Sequence, residues 1–333
     1  MLYFFIYGGV MFKYANYAYT VYKEKSFTRA AEKLFISQPS LSLSIKKLED
    51  TLGAPIFDRS GREIHLTDIG EKYITALEEI KNIEKNLKDE VDDLQKLKKG
   101  TITIGSTIFV SSNILPFILK GFQEAFPEIT INVLVENSAT LKKMLEKGSI
   151  DFIVDNAQKE KEKENEYIYQ AIANEHILLA IPKSFPINEK LTSFRISNDV
   201  MRTNKNWYKN HPKVNMRNFK DDKFILLRYG NNMRQISNKI FKENNIIPNV
   251  IHEFDHLMTS ISYAEAGFGI CFITDSVLKY AKNLNDISLY LPDTSHSERT
   301  LYVIRKKNKY LSFSAQELIK HIVKFQTKII ETN

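Results

Sequence analysis

The stretch His252-Glu253-Phe254-Asp255-His256 spells H-E-x-x-H. Zinc-dependent proteases use this spacing to set two imidazoles and a carboxylate on one helical turn, with the Glu beside a metal-bound water. The neighbouring residues predict a different element. Pro248 opens a segment in which Val250, His252 and Phe254 alternate with Ile251 and Glu253, which is strand periodicity. In a strand, positions i and i+4 lie about 13 Å apart, too far to share one ion. Asp255 is placed to cap the helix that follows. The other histidines, His65, His176, His211, His296 and His321, are scattered and offer no third ligand. The sequence also holds no G-x-S-x-G, no P-loop and no Rossmann glycine fingerprint, and its 12 glycines leave few phosphate-cradling loops. The single cysteine, Cys271, cannot make an intrachain disulfide and reads as a small buried hydrophobe. The expectation is a protein without metal or cofactor, and not an enzyme.

The chemistry that the sequence does prepare lies nearer its start. "SFTRAAEKLF" reads as a short helix with Thr28 as its N-cap and Ala30, Ala31 and Leu34 on one face. In "ISQPSLSLSIKKLEDTLG", Ser37 can cap a second helix, Pro39 sits in the first turn, where no N–H is needed, and Gly53 ends it. Leu41, Ile45, Leu48 and Leu52 share a face. Gln38, Ser40, Ser42, Leu43, Lys46 and Lys47 occupy the opposite one. Two helices joined tightly, the second polar and basic outside, describe a helix-turn-helix. "PIFDRSGREIHLT" adds a two-stranded wing with Arg59 and Arg62 around the Ser60-Gly61 turn.

From Thr67 a helix of about 30 residues is expected, with Ile69, Tyr73, Leu77, Ile80, Leu87, Val91 and Leu94 forming a heptad-like seam. The local sequence is too short to cover this stripe, so a second copy of the chain is the expected partner. After "KKG" strands alternate with helices through "TITIGST", "ITINVLVEN", "DFIVDN", "HILLAIP", "DKFILLRYG", "PNVIHEF", "ICFIT" and "RTLYVIRKK", the pattern of a mostly parallel α/β sheet. Residues 183–222 carry no motif.

Composition agrees. The 333 residues suffice for two or three domains. The net charge of +7 and pI of about 9.1 lean towards an anionic partner. Residues 13–66 hold nine Lys/Arg against six Asp/Glu, so geometry rather than bulk field must carry DNA recognition. The apolar start, "MLYFFIYGGV", is shorter than the ~20 residues of a spanning helix and lacks the basic region of a signal peptide. Met11 is the expected true start, and a cytoplasmic protein with no membrane partner is the expectation.

The run from "SFTRAAEKLF" to "HLTDIGEKY" resembles the LysR-type transcriptional regulators in S-F-t-x-A-A-x-x-L, S-Q-P-S-L-S, I-x-x-L-E-x-x-L-G and L-T-x-x-G, in order and at the right spacing. "AEAGFGICFIT" is similar to a later family strand, so the resemblance covers about residues 11–325. It implies an α+β/α/β multidomain fold. A winged helix-turn-helix DNA-binding domain (11–67) would be followed by a dimerisation linker helix (68–98). A two-subdomain Rossmann-like, periplasmic-binding-protein-like effector-binding domain (100–325) would complete the chain. Subdomain one would take 100–173 plus 274–325, and subdomain two 174–273. An exported solute-binding protein is a rival reading, which the missing export signal opposes.

The resemblance also implies roles. Thr28, Arg29, Ser37, Gln38, Pro39, Ser40, Ser42, Leu43, Lys46, Lys47, Arg59 and Arg62 would meet double-stranded DNA at a dyad-symmetric promoter site. Gln38, Ser40 and Ser42 would face base edges or phosphates, and the lysines phosphates. Leu43 stands where many members have Arg. Tyr73, Leu77, Ile80, Leu87, Val91 and Leu94 would pair two copies, and the family usually assembles further to tetramers. RNA polymerase is a further expected partner. Ser106, Thr107, Ser138, Thr140, Arg228, Asn231, Asn232 and Thr274 would line a cleft for a small effector, expected from these hydroxyls and helix N-termini to be anionic.

Overall fold

In a computed structural model, residues 12–60, 64–94, 99–157, 165–197, 206–279 and 284–331 are described. Residues 1–11, Gly61, Arg62 and residues 95–98 therefore lie outside the description. Contacts divide the chain into two compact units, residues 1–88 and 89–333.

The first unit is built from α1 (Ala15–Glu24), α2 (Phe27–Lys33), α3 (Gln38–Leu52), a wing of β1 (Phe57–Asp58) and β2 (His65–Leu66), and α4 (Asp68–Leu94). Ser26, not Thr28, caps α2: its Oγ accepts the Arg29 N–H at 3.3 Å. Starting the helix at Phe27 lets that ring enter the core, where it meets Phe57 edge-on. Ser37 caps α3 as expected, accepting the Ser40 N–H, and Gly53 closes it with φ 72°. Leu41, Ile45 and Leu48 are fully buried, each contributing roughly 1.5–3 kcal/mol of burial.

Tyr73 and Leu77 depart from the expected seam. Both are buried in the core of their own unit, with Ile74, against the helix-turn-helix. The first turns of α4 thus have an intramolecular neighbour. Ile69 of the expected seam is 44% exposed, and the other exposed apolar residues lie further along: Ile83 is 66% exposed, Leu87 61% and Val91 43%. Ile83, absent from the expected seam, joins it. Leu94 closes the described helix, and its side chain lies outside the described residues.

The second unit alternates β3 (Gly100–Ser106), α5 (Ile108–Asn113), α6 (Leu115–Ala125), β4 (Ile129–Val135), α7 (Ser138–Glu146), β5 (Phe152–Ala157) and β6 (Tyr167–Pro182). Helices α5 and α6 follow one another between β3 and β4, separated only by Ile114. Pro116 stands in the first turn of α6, where it has no N–H to continue the preceding ladder. The unlabelled stretch 183–222 contains one-turn helices and the two-residue strands β7 (Arg195–Ile196) and β8 (Lys213–Val214). Then follow β9 (Lys223–Leu227), α8 (Asn232–Glu243), β10 (Asn249–Phe254), α9 (Leu257–Glu265), β11 (Ile270–Thr274), β12 (Ile287–Pro292), β13 (Glu298–Lys306) and α10 (Phe313–Glu331).

The sheet path runs β10-β9-β11-β6-β13-β5-β3-β4. The 16-residue β6 joins two lobes. Tyr167–His176 pairs with β13, and Ile177–Pro182 pairs with β11 and β12. The first lobe is therefore β3, β4, β5, β13 and the front of β6. The second is β9, β10, β11, β12 and its back. The return crossing falls after β12 rather than at residue 274, because β12 pairs with β6, β7 and β8 in the second lobe. Residues 287–292 thus leave the first subdomain, to which the sequence reading gave them. The front of β6 likewise extends that subdomain to His176.

Candidate functional site

The outer face of α3 is the first candidate. With Leu41, Ile45 and Leu48 turned inward, Gln38, Pro39, Ser40, Leu43, Lys46 and Lys47 are exposed, and Leu43 is 56% so. Gln38 Nε2 donates to Ser42 Oγ at 2.9 Å across one turn, which holds both groups in place at the helix N-terminus. Thr28 and Arg29 are exposed on α2. Arg29 donates through Nη2 to the Glu24 carbonyl at 2.7 Å, which ties it to the end of α1. The turn before α3 carries a residue that the sequence reading passed over. Phe35, with φ 55°, is 95% exposed. Its signal in "LFISQ" was an aromatic residue out of phase with the apolar face.

Arg59 does not stand free at the wing tip. It pairs with Glu49 Oε2 at 3.0 Å, and its guanidinium lies 4.6 Å from the Phe27 ring centre. Glu49 Oε1 accepts the Ile56 and Phe57 N–H groups at 2.8 and 3.2 Å. One carboxylate thereby fastens the wing to α3, and Arg59 is largely spent on that fastening. Arg62 lies outside the described residues.

The second candidate is a small, open-mouthed cleft of about 50 Å³ between the lobes of the second unit. Four of the eight expected residues line it: Thr107, Ser138, Asn231 and Asn232. Four do not. Ser106 is fully buried and donates to the Val154 carbonyl. Thr274 is fully buried against Ser276. Thr140 is engaged through its N–H, which Asn137 caps. Arg228 is exposed and pairs with Asp255 at 2.8 Å. That pairing also corrects the expected cap: Asp255 faces Arg228, and His256 occupies the N-cap of α9 without a side-chain bond.

The floor of the cleft is a carboxylate that the sequence reading missed. Asp155, at the end of β5, is 4% exposed and accepts Thr107 Oγ1 at 3.1 Å and Ser138 Oγ at 2.5 Å. The two hydroxyls expected to hold an anion thus donate inward to Asp155. Burial pushes its carboxyl up to about 6, against the hydrogen bonds and the charge of Arg299. Arg299, on β13, also lines the cleft. Its Nε donates to Glu175 Oε2 at 2.7 Å, and both partners are buried. Asn156 Nδ2 donates to the same Glu175 oxygen at 3.1 Å. The available signal was "VDN", a charge at the C-terminal end of an apolar strand, where open α/β sheets place ligands. The lobes touch across the mouth, where the Ala139 N–H donates to the Gly230 carbonyl at 3.2 Å.

The H-E-x-x-H residues do not form a metal turn. His252 and Glu253 lie in β10, and His256 is outside it. The His252 ring packs among Phe254, Tyr263 and Phe268, and Glu253 pairs with Arg234. Cys271 is buried, which pushes its thiol pKa up and leaves it protonated. No described helix is long and apolar enough to cross a membrane.

Comparison with known proteins bears on both candidates. Residues 13–71 match the family described as bacterial regulatory helix-turn-helix protein, lysR family, and residues 95–198 and 200–326 match the LysR substrate binding domain. An HTH-type transcriptional regulator of Bacillus subtilis (strain 168), YcgK, is 28% identical over 309 residues, covering 91% of each chain. Another from that strain, YybE, is 24% identical, covering 92% of this chain and 96% of its own. The crystal structure of full-length CbnR complexed with its target DNA superposes with a TM-score of 0.63 at 16% identity, over 94% of this chain and 99% of that one.

Proposed function

This chain belongs to the lysR family of bacterial regulatory helix-turn-helix proteins, and from that premise we propose how its residues read DNA and sense a ligand. It is a transcriptional regulator with a DNA-binding helix-turn-helix and an effector-binding domain. In our reading α3 enters the major groove by its N-terminal end. Gln38, Ser40 and Ser42 face base edges, and Leu43 packs on a thymine methyl. Lys46 and Lys47, with Thr28, Arg29 and the Ser37-Pro39 turn, meet phosphates, which position without specifying. The observation that carries this is the division of α3 into a fully buried apolar face and an exposed polar, basic one. The regulator acts in the cytoplasm, catalyses no reaction and needs no cofactor. It pairs through the exposed Ile83-Leu87-Val91 stripe, so its DNA site has dyad symmetry. The paired form assembles into a tetramer that addresses RNA polymerase.

The test is a footprint on the DNA upstream of its own gene, with wild type, Gln38→Ala and Lys46→Ala. A protected dyad that Gln38→Ala loses selectively, while Lys46→Ala weakens all sequences and lowers the salt slope by about one, supports this sorting. Equal loss on all sequences in both variants would contradict it.

A further inference from the structure

The cleft floor carries more negative charge than its own side chains neutralise. Asp155, Glu175 and Arg299 form a buried group of two carboxylates and one guanidinium. The guanidinium is committed through Nε to Glu175. Asp155 accepts only from neutral donors, Thr107 and Ser138, besides the Asn156 N–H. Arg299 acts on Asp155 through its charge, but a buried carboxylate with no cation hydrogen-bonded to it is still costly. A second acceptor in the same cleft also lacks a donor: Asn232, 8% exposed, lines it, and its buried Oδ1 has no hydrogen-bond partner. Two residues carrying acceptors, one of them charged, thus line one cavity. Among the described residues Arg299 is hydrogen-bonded through Nε to Glu175, and it lines the cavity, where its Nη groups can donate.

Resting on the reading of the cleft as an effector site, we propose that the effector is a small amino compound. Its ammonium group docks on Asp155 and Asn232 Oδ1, and an oxygen of the same molecule accepts from Arg299. An ammonium brings the buried group to neutrality, whereas a simple anion adds to its excess. This replaces the anionic effector expected from the sequence, whose hydroxyl donors the fold spends on Asp155.

The experiment is thermal denaturation of the full chain with three matched probe sets: the proteinogenic amino acids, their decarboxylated amines and their des-amino carboxylic acids. At least one amine-bearing probe should raise the Tm, and its des-amino counterpart should not. Asp155→Asn should weaken that probe at least about thirtyfold, the loss expected when one partner of a buried charge pair is removed. Amines and amino acids binding alike would assign the recognition to the ammonium alone. Amino acids binding alone would add the Arg299 contact. Stabilisation by des-amino acids only, or undiminished binding by Asp155→Asn, would overturn the proposal and leave the cleft an effector site. Silence from all three sets would also overturn it. If the small-molecule fraction of a cell extract were silent too, the effector reading would fall with it.

Discussion

At the scale of the residue, Asp155 shows how a side chain takes its meaning from depth. A carboxylate at a strand end in water would titrate near 3.8; buried here it is pushed up to about 6. That difference corresponds to about 3 kcal/mol. The folded state therefore prefers the protonated acid. The stability so gained is fully present below about pH 3.8 and is lost as pH rises through about 6. Asn keeps one of the two acceptor oxygens that Thr107 and Ser138 use, presents an NH2 to the other hydroxyl, which can turn to accept it, and does not ionise. Asp155→Asn should therefore be more stable than wild type at pH 7, by up to about 3 kcal/mol, with the gap closing towards pH 4. Urea denaturation of both proteins across that range checks it, and a gap that widens on acidification would refute the burial argument. Glu49 is the contrasting case, a largely buried carboxylate whose work is geometric, holding two wing N–H groups and Arg59.

At the scale of the element, the turn into α4 explains why "LTDIG" has the residues it has. Thr67 Oγ1 donates to the Pro55 carbonyl at 2.6 Å and accepts the Gly70 N–H at 3.0 Å, while the Thr67 N–H reaches the Ile56 carbonyl at 3.0 Å. This clamps the wing onto the first turn of the helix. A Cβ on Gly70 would come within 2.1 Å of the Ile56 carbonyl oxygen, a backbone atom that cannot swing away. Gly70→Ala should destabilise the first unit by about 1–3 kcal/mol or more, as overpacking does, seen as a lower urea midpoint. An unchanged midpoint would mean that the wing shifts without cost. The same helix carries the exposed stripe. Ile83→Glu with Leu87→Glu should leave the secondary structure intact and reduce the mass measured by sedimentation equilibrium to that of a single chain. An unchanged mass would place the pairing surface elsewhere.

At the scale of the whole molecule, much of the architecture was legible in order along the chain. Helix starts and stops are set by short-range chemistry: Ser37 against the Ser40 N–H, Gly53 in the left-handed region, Pro116 without a donor. The alternation of strands and helices was legible for the same reason, since burial on two faces leaves apolar runs. Less legible was β6. Its back half, "HILLAIP", is an apolar run, but its front half, "YIYQAIANE", is only partly buried and alternates weakly. No periodicity announces that one strand serves two lobes. The position of β12 in the second lobe depends on pairings with β6, β7 and β8, which are distant in sequence.

What the sequence by itself determined is therefore the identity of the elements, the face of α3 that meets solvent, and the family. All of these rest on contacts within a few residues or on motifs read in order. What only the tertiary structure decided is where groups far apart in the chain converge. Tyr73 and Leu77 left the expected pairing seam because the helix-turn-helix core reaches them. Arg59 left the free wing tip because Glu49 and Phe27 hold it. The hydroxyls of Thr107 and Ser138 turned to Asp155 because residues as far apart as Thr107 and Arg299, 192 positions, meet at the cleft. Hydroxyls donate to whichever acceptor is nearest, and only the folded chain supplies that acceptor.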